Sequence, residues 1–188
     1  CNFDGNAQAI RIIEKLQRYN LSYSQVASVL KYTRGAYEET PDPDDNLSYL
    51  RKKPGFFYSE KEFVEDVGKT IGMKKGTRFP LTYIMEAADD ISYLTADLED
   101  AVDKGIFTFD EVYEIIIQEC QLVNETHKVN YTYLSDLTTK AYEGSKKEEK
   151  AYQFNLFLTL LRAKLITDLV SYVSKVFIQH HEQIFRGE

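Results

Sequence analysis

Apolar residues recur at helical spacing through almost the whole of this chain, and no two-residue alternation competes with them, so the pattern predicts helices and no extended sheet. The pattern is densest over about 148–184, where Phe154, Phe157, Leu158, Leu161, Leu165, Leu169, Val173 and Phe177 predict one or two long helices. Near the start, "DGNAQAIRIIEKLQRYN" sets Ala9, Ile12, Ile13 and Leu16 on one face, with Asp4 or Asn6 as the N-cap. "SYSQVASVLKYT" offers Ser22 or Ser24 as a cap for a short helix ending near Lys31 and Tyr32. Ser59 stands three residues before Glu62 in a capping-box arrangement, and "TFDEVYEIIIQECQLV" predicts a further helix. The region 124–149, with "EGSKKEEK", is expected to mix helix with mobile loop. The expected fold class is all-α, a single helical region over 1–188 with no separate second domain and no internal repeat.

With 43% hydrophobic and 28% charged residues the composition is that of a globular chain, its bulk supplied by 14 Tyr and 11 Phe in place of Trp. A net charge of −7 excludes a basic nucleic-acid face covering the whole surface, though not a local cationic patch. Two cysteines, Cys1 and Cys120, are too few for a disulfide framework and fit a reducing compartment. With no apolar run long enough to span a bilayer and no signal peptide, a cytoplasmic location is expected and no membrane partner. Asn20, Asn46, Asn124 and Asn130 stand in glycosylation-type triplets that are then chance matches. Residues 35–58 hold Pro41, Pro43 and Pro54 among acids and aromatics and predict an irregular connection.

The stretch "LTYIMEAADDISYLTADLEDAVDKG" carries seven acidic residues on a helical pattern bounded by Pro80 and Gly105. At about 100° per residue, Ile84, Ala87, Ala88, Ile91, Leu94, Leu98, Ala101 and Val102 form the expected core side. Glu86, Asp89, Tyr93, Asp97, Asp100 and Lys104 form a narrow stripe opposite. Such a stripe is what a solvated helix face shows. Like charges three or four residues apart are nonetheless mutually repulsive, and only Lys104 offers relief within the stripe. A metal ion or a basic wall from elsewhere would make it reasonable.

"RFPLTYIMEAADDISYLTADLEDAV" resembles a signature of the bacterial deoxyguanosine triphosphate triphosphohydrolases, members of the HD-domain phosphohydrolase superfamily. "DGNAQAIRII", "VLKYTRGAY" and "LRKKPGFFYSE" resemble further blocks of that family in the same order, and the resemblance covers 1–107 well and 108–188 more loosely. It implies a helical HD-type phosphohydrolase that hydrolyses a deoxynucleoside triphosphate to the deoxynucleoside and tripolyphosphate with a divalent metal, Mg²⁺ or Mn²⁺. The last metal ligand of the superfamily falls in "EAADDISY" and is placed on Asp89, not Asp90, because Asp89 stands in register with Tyr93 and Asp97. In the family those two positions line the deoxyribose pocket. Lys31 and Tyr32 of "KYTR", and Lys53 of "RKKP" with Lys52 as the alternative, match positions facing triphosphate and sugar; Asn6 of "GNAQ" matches another active-site position. The family also implies a homo-oligomer and single-stranded DNA or a dNTP as effector.

The three histidines, His127, His180 and His181, include no His-Asp pair, and His180 and His181 are adjacent, hence on different faces of a helix. The upstream metal ligands and the catalytic His/Glu pair of the family are therefore expected outside this chain, and no catalytic residue is assigned within it. The chain would be a fragment that supplies the last metal ligand and much of the nucleotide pocket. The alternative is a non-catalytic helical nucleotide-binding or oligomer-assembly module on the same scaffold.

Overall fold

The computed structural model describes residues 3–45 and 47–187; Cys1 and Asn46 lie outside them. Helix dominates, as the spacing predicts, in the order α1 (Gly5–Arg11), α2 (Tyr23–Val29), α3 (Lys61–Thr70), α4 (Pro80–Tyr93), α5 (Ala96–Asp103), α6 (Phe109–His127), α7 (Tyr133–Ser145) and α8 (Gln153–Arg186). The region 124–149 is mostly helical, shared between the end of α6 and α7, and the C-terminal pattern forms one helix of 34 residues. One short parallel pair, β1 (Arg34–Gly35) and β2 (Pro54–Phe56), ties the irregular 35–58 connection at both ends. The chain divides into two compact units, Cys1–Asp89 with Lys175–Glu188, and Asp90–Ser174. Among the described residues no helix is long and apolar enough to cross a membrane.

The first unit is built on Ile10 of α1, Val26, Ala27 and Leu30 around α2, Phe56 of β2 and Val67 of α3. Asp4 caps α1 by accepting the Asn6 backbone N–H at 2.9 Å, and Ser22 and Gln25 form a reciprocal capping box on α2. Leu16 is not on the core face expected of it and is 60% exposed. The cause is a π-helical turn, Ile12–Leu16, in which the Gln17 N–H reaches the Ile12 carbonyl and rotates later residues out of the α-helical register. Ser59 does not cap α3 either: a 3₁₀ turn, Tyr58–Glu60, intervenes, and the Ser59 hydroxyl donates to the buried Glu60 carboxylate at 2.7 Å.

The second unit packs α6, α7 and α8 through Val112, Ala141, Phe157, Leu158 and Leu161. The Phe109 ring meets Tyr142, Phe154 and Phe157 with centroids 5.0, 5.8 and 5.1 Å away. Thr108 and Glu111 form the capping box that starts α6, and Gly105, with φ of 66°, supplies the left-handed residue that ends α5.

The expected continuous helix over 81–104 is broken at Leu94 and Thr95, so the register linking Asp89 and Tyr93 to Asp97 is interrupted. A distant residue accounts for the break. Arg162 of α8 donates from Nε to the buried Thr95 hydroxyl and from Nη2 to Glu99, both at 2.7 Å, which fixes Thr95 outside helical geometry. The expected core side is only partly covered as well, with Ile84 and Leu94 nearly half exposed. In the second unit Leu94 and Leu98 border an open apolar cavity of about 660 Å³ with Leu161, Leu165, Tyr133 and Tyr172.

Asp110 accepts from Lys146 at 2.6 Å and from the Tyr142 hydroxyl at 2.7 Å, and the Lys146 ammonium lies over the Phe109 and Tyr142 rings. The hydrogen bond from Lys146 first, and that from Tyr142 second, hold the Asp110 carboxyl below the usual carboxylate range. A depressed folded-state pKa stabilises above the unfolded value and loses that contribution as pH falls through the folded value. The melting temperature is therefore expected to fall as pH is lowered below about 4, and Asp110→Asn should flatten part of that slope in a thermal-melt series against pH.

Candidate functional site

After Val29 the chain leaves α2 through a tight turn at Leu30 (φ −73°, ψ 80°), closed by the Lys31 N–H on the Val29 carbonyl at 2.8 Å, and runs on through Lys31 and Tyr32 into β1. This segment is held from several sides. The Thr33 N–H donates to the Leu50 carbonyl at 2.9 Å, and the Arg34 guanidinium donates to the carbonyls of Arg51 and Glu38 at 2.7 Å each. Behind it Gly55 of β2 comes so close that a Cβ there would stand 1.7 Å from the Tyr32 carbonyl oxygen. Only glycine allows that approach, which fixes the "RKKPG" segment against Tyr32.

Around Tyr32 lies a cluster that joins residues given a role by the resemblance, Lys31, Tyr32 and Lys52, to four given none, Tyr49, Arg78, Tyr83 and Glu86. Tyr32 is buried, with Lys52 over its ring at 6.0 Å and the Arg78 guanidinium at 5.8 Å. Arg78 also lies 5.6 Å from the Tyr49 ring and 5.5 Å from the Tyr83 ring, within cation–π range of all three. Its Nε donates to the Lys31 carbonyl at 2.6 Å and its Nη1 to Glu86 Oε2 at 2.6 Å. The other oxygen of Glu86 stands 3.1 Å from the Lys31 ammonium. Burial, and after it the hydrogen bond with Tyr49, push the Tyr83 hydroxyl up to about 12, so this wall of the cage stays a neutral phenol.

Glu86 is therefore not part of a solvated stripe. It bridges two cations that come from outside its own helix. Lys31 and Arg78 thus share the Glu86 carboxylate, while Lys52 stands over the same Tyr32 ring that Arg78 faces, so three cationic side chains come from different segments to one cluster. Lys52, and not the preferred Lys53, lies over Tyr32; Lys53 is exposed beside the start of β2. Asn6 is not the helix cap but donates its side-chain amide to Asp4, the residue that is.

Asp89 is exposed near the end of α4. Among the described residues no three His, Cys, Asp or Glu side chains converge into a metal-binding group. A divalent ion needs several protein donors, so the described residues by themselves do not form such a site. His127, His180 and His181 are exposed, with His180 bonded to Gln183 and His181 to the Ile178 carbonyl. In the second unit Tyr93 is 70% exposed at the end of α4, and Asp97 is exposed in the first turn of α5. Asp100 of the expected stripe pairs with Lys104 at 2.6 Å.

Compared with known proteins, the chain is similar over nearly all its length to proteins named deoxyguanosinetriphosphate triphosphohydrolase. It is 39% identical over 194 residues to the probable enzyme of Pseudomonas aeruginosa, covering 99% of this chain and 38% of that protein. It is 41% identical over 186 residues to the Serratia proteamaculans enzyme and 40% over 191 residues to that of Yersinia enterocolitica, covering 99% of this chain and 36% of each relative. The chain thus spans little more than a third of the length of the curated relatives it matches, and no family model matches it.

The contact at Gly55 is open to direct test. A methyl group there meets backbone, which cannot rotate away, so Gly55→Ala is expected to cost about 1–3 kcal/mol as an overpacking substitution. The measurement is chemical denaturation followed by far-ultraviolet circular dichroism, with the midpoint compared between wild type and Gly55→Ala.

Proposed function

We propose that this chain supplies phosphate- and sugar-binding residues of a deoxynucleoside triphosphate triphosphohydrolase acting on dGTP or another dNTP. The reading is carried by the similarity over 99% of the chain to proteins bearing that name. The cationic cluster around Tyr32 supports it, since a triphosphate is polyanionic and ammonium groups bind phosphate as point charges. In the reaction water adds to the α-phosphorus, the bond from that phosphorus to the 5′-oxygen breaks, and the 5′-oxygen takes up a proton. The products are the deoxynucleoside and inorganic tripolyphosphate.

Within the first unit Lys31 and Lys53, or Lys52 in place of Lys53, bind phosphate oxygens, Tyr32 presents its hydroxyl edge toward the sugar side, and Asn6 contributes a polar contact. Within the second unit the exposed Tyr93 ring packs on the sugar at C2′, where a ribose hydroxyl would clash, and Asp97 accepts from the 3′-hydroxyl. Asp89 is the one metal donor proposed here for Mg²⁺ or Mn²⁺, and no step is assigned to the metal through this chain. A homo-oligomer, and an effector that is single-stranded DNA or a dNTP, belong to the same reading. A nucleotide-binding module without catalysis is the second reading; it is favoured by the absence, among the described residues, of three converging metal-ligating side chains.

The reaction is tested by incubating the intact protein, not residues 1–188 alone, with dGTP and Mn²⁺ and separating the phosphate products. Tripolyphosphate is expected; pyrophosphate or orthophosphate as the first product, or dGTP binding with no turnover by the intact protein, would overturn the hydrolase reading and leave the binding module, and tripolyphosphate release by residues 1–188 alone would overturn the reading that the catalytic residues lie outside this chain. Lys31→Ala should weaken dGTP binding about tenfold, the loss of one charge-assisted contact of about 1.4 kcal/mol.

The sugar filter has its own test. Tyr93→Ala is expected to relax the deoxy-over-ribo preference by roughly tenfold or more, since a steric filter against one hydroxyl is worth on the order of 10², while Tyr93→Phe spares it. The ratio of kcat/KM for dGTP to that for GTP is the readout, and an unchanged ratio in the alanine variant removes Tyr93 from this role.

A further inference from the structure

A second cavity, of about 420 Å³, opens within the first unit, and no residue of the Tyr32 cluster is among those lining it. Leu30 and Phe56 are buried at its inner end, beside Val64 and Met73. One wall is the Tyr37 ring, which meets Phe56 edge to face with centroids 6.2 Å apart. That ring lies back against β1 only because residue 35 is glycine, where a Cβ would stand 2.5 Å from Tyr37 Cε1. At the mouth are the exposed Lys69, near the end of α3, and Lys74 and Lys75 in the turn that follows.

We propose that this cavity is a second ligand site that takes a nucleoside phosphate, with the base against Phe56 and Tyr37 and the phosphate between Lys69, Lys74 and Lys75. The site is independent of the phosphate reading of Lys31 and Lys52.

Charge is the first observation. The two acids that line the cavity, Glu38 and Glu65, stand 3.9 Å from Arg51 and 4.0 Å from Lys61. Lys69, Lys74 and Lys75 enter no ion pair among the described residues, so three ammonium groups share one mouth without a fixed anion. Phosphate oxygens supply one. The second observation is Gly68, in the last turn of α3, which also lines the cavity. Glycine weakens a helix relative to alanine, yet a Cβ there would meet nothing closer than the Met73 Cβ at 4.0 Å. Packing does not demand the glycine; what its missing side chain leaves is room in the cavity. The third is the mixture of the lining. Among the apolar groups stand the Tyr37 hydroxyl, which makes no hydrogen bond among the described residues, and the two carboxylates, whose contacts to cations are long. An alkyl chain would leave these groups unmet, whereas a base brings ring N–H, amino and carbonyl groups to them. The volume lies within the range of small-molecule sites.

The test follows acylation of individual lysines of the intact protein by an amine-reactive reagent, read by peptide mass spectrometry. Deoxyguanosine monophosphate (dGMP), deoxyguanosine, inorganic phosphate and dodecanoate are each added at the same concentration. An ammonium held by phosphate loses its proton less readily and reacts more slowly. With dGMP, acylation of Lys69, Lys74 and Lys75 should therefore slow severalfold, with phosphate alone less than twofold, and with deoxyguanosine not at all. Gly68→Leu puts a side chain into the cavity and should reduce the protection by dGMP to that by phosphate alone. Four results each overturn the proposal: no protection by dGMP at these three lysines, protection by phosphate equal to that by dGMP (an exposed basic patch), protection by dodecanoate as great as by dGMP (a site for an apolar tail), or full protection in Gly68→Leu. Lys31 and Lys52 are read in the same digests, so protection confined to them assigns dGMP to the Tyr32 cluster and rejects the cavity, while their lack of protection leaves the result at the cavity unaffected. Should Gly68→Leu not fold, an 8-azido analogue of dGMP photolysed on the wild-type protein decides. Labelling within residues 64–73 upholds the site, and labelling confined to other segments overturns it.

Discussion

The first unit depends on burying the guanidinium of Arg78. An enclosed charge is tolerated only when it is paired and its hydrogen bonds are made, since desolvation otherwise outweighs any gain. The structure meets that demand with groups from three places in the sequence: the Lys31 carbonyl and Tyr32 ring after α2, the Tyr49 ring in the 35–58 connection, and Tyr83 and Glu86 on α4. None of these groups can leave without exposing an unmet charge to the others. Through Tyr49 the irregular stretch between β1 and β2 is thereby tied to Arg78. The same requirement gives Glu86 its place: a carboxylate is needed opposite Arg78, and its second oxygen is then available to Lys31.

In the second unit Arg162 performs a comparable service with a different consequence. It joins Thr95 to Glu99, one turn apart, and so stabilises the interruption between α4 and α5. The local sequence holds no glycine or proline to stop a helix at "YLTADL". The stop depends on a side chain 67 residues away. Here the Thr95 hydroxyl oxygen accepts from Arg162 Nε, and the backbone leaves helical geometry at that residue.

This contrast marks what was legible in the sequence. Helices are written in local periodicity, and their ends in local chemistry, so α1, α2, α6 and the Pro80 and Gly105 boundaries of the acidic segment could be read directly. The π-helical turn at Ile12–Leu16 left no such signal, since its apolar residues satisfy an α-helical pattern equally well. The parallel pairing of β1 with β2 is equally silent: two strands of two and three residues are too short to alternate. Of the candidate site, Lys31 and Tyr32 were found through resemblance and do sit together in one cluster. Arg78 and Glu86 were missed as site residues because their significance lies in contacts across 47 and 8 residues, which no spacing rule joins. A buried-charge signal existed in principle, an arginine between a glycine-rich turn and the first proline of a helix, but a loop arginine is ordinarily solvated.

The acidic stretch illustrates why a stripe of like charges is a weak guide to chemistry. Repulsion along "EAADDISYLTADLED" is relieved in three different ways, and only one is local. Lys104 reaches Asp100 four residues away, whereas Glu86 and Glu99 are met by arginines from other segments. Each carboxylate that finds a cation is thereby committed to structure. Asp89, Asp90 and Asp97 are exposed and enter no ion pair among the described residues. An acid that the fold neither neutralises nor buries has its lone pairs open to whatever binds next, but that ground holds for all three alike, and only the resemblance sets the proposed metal donor Asp89 and sugar contact Asp97 apart from Asp90.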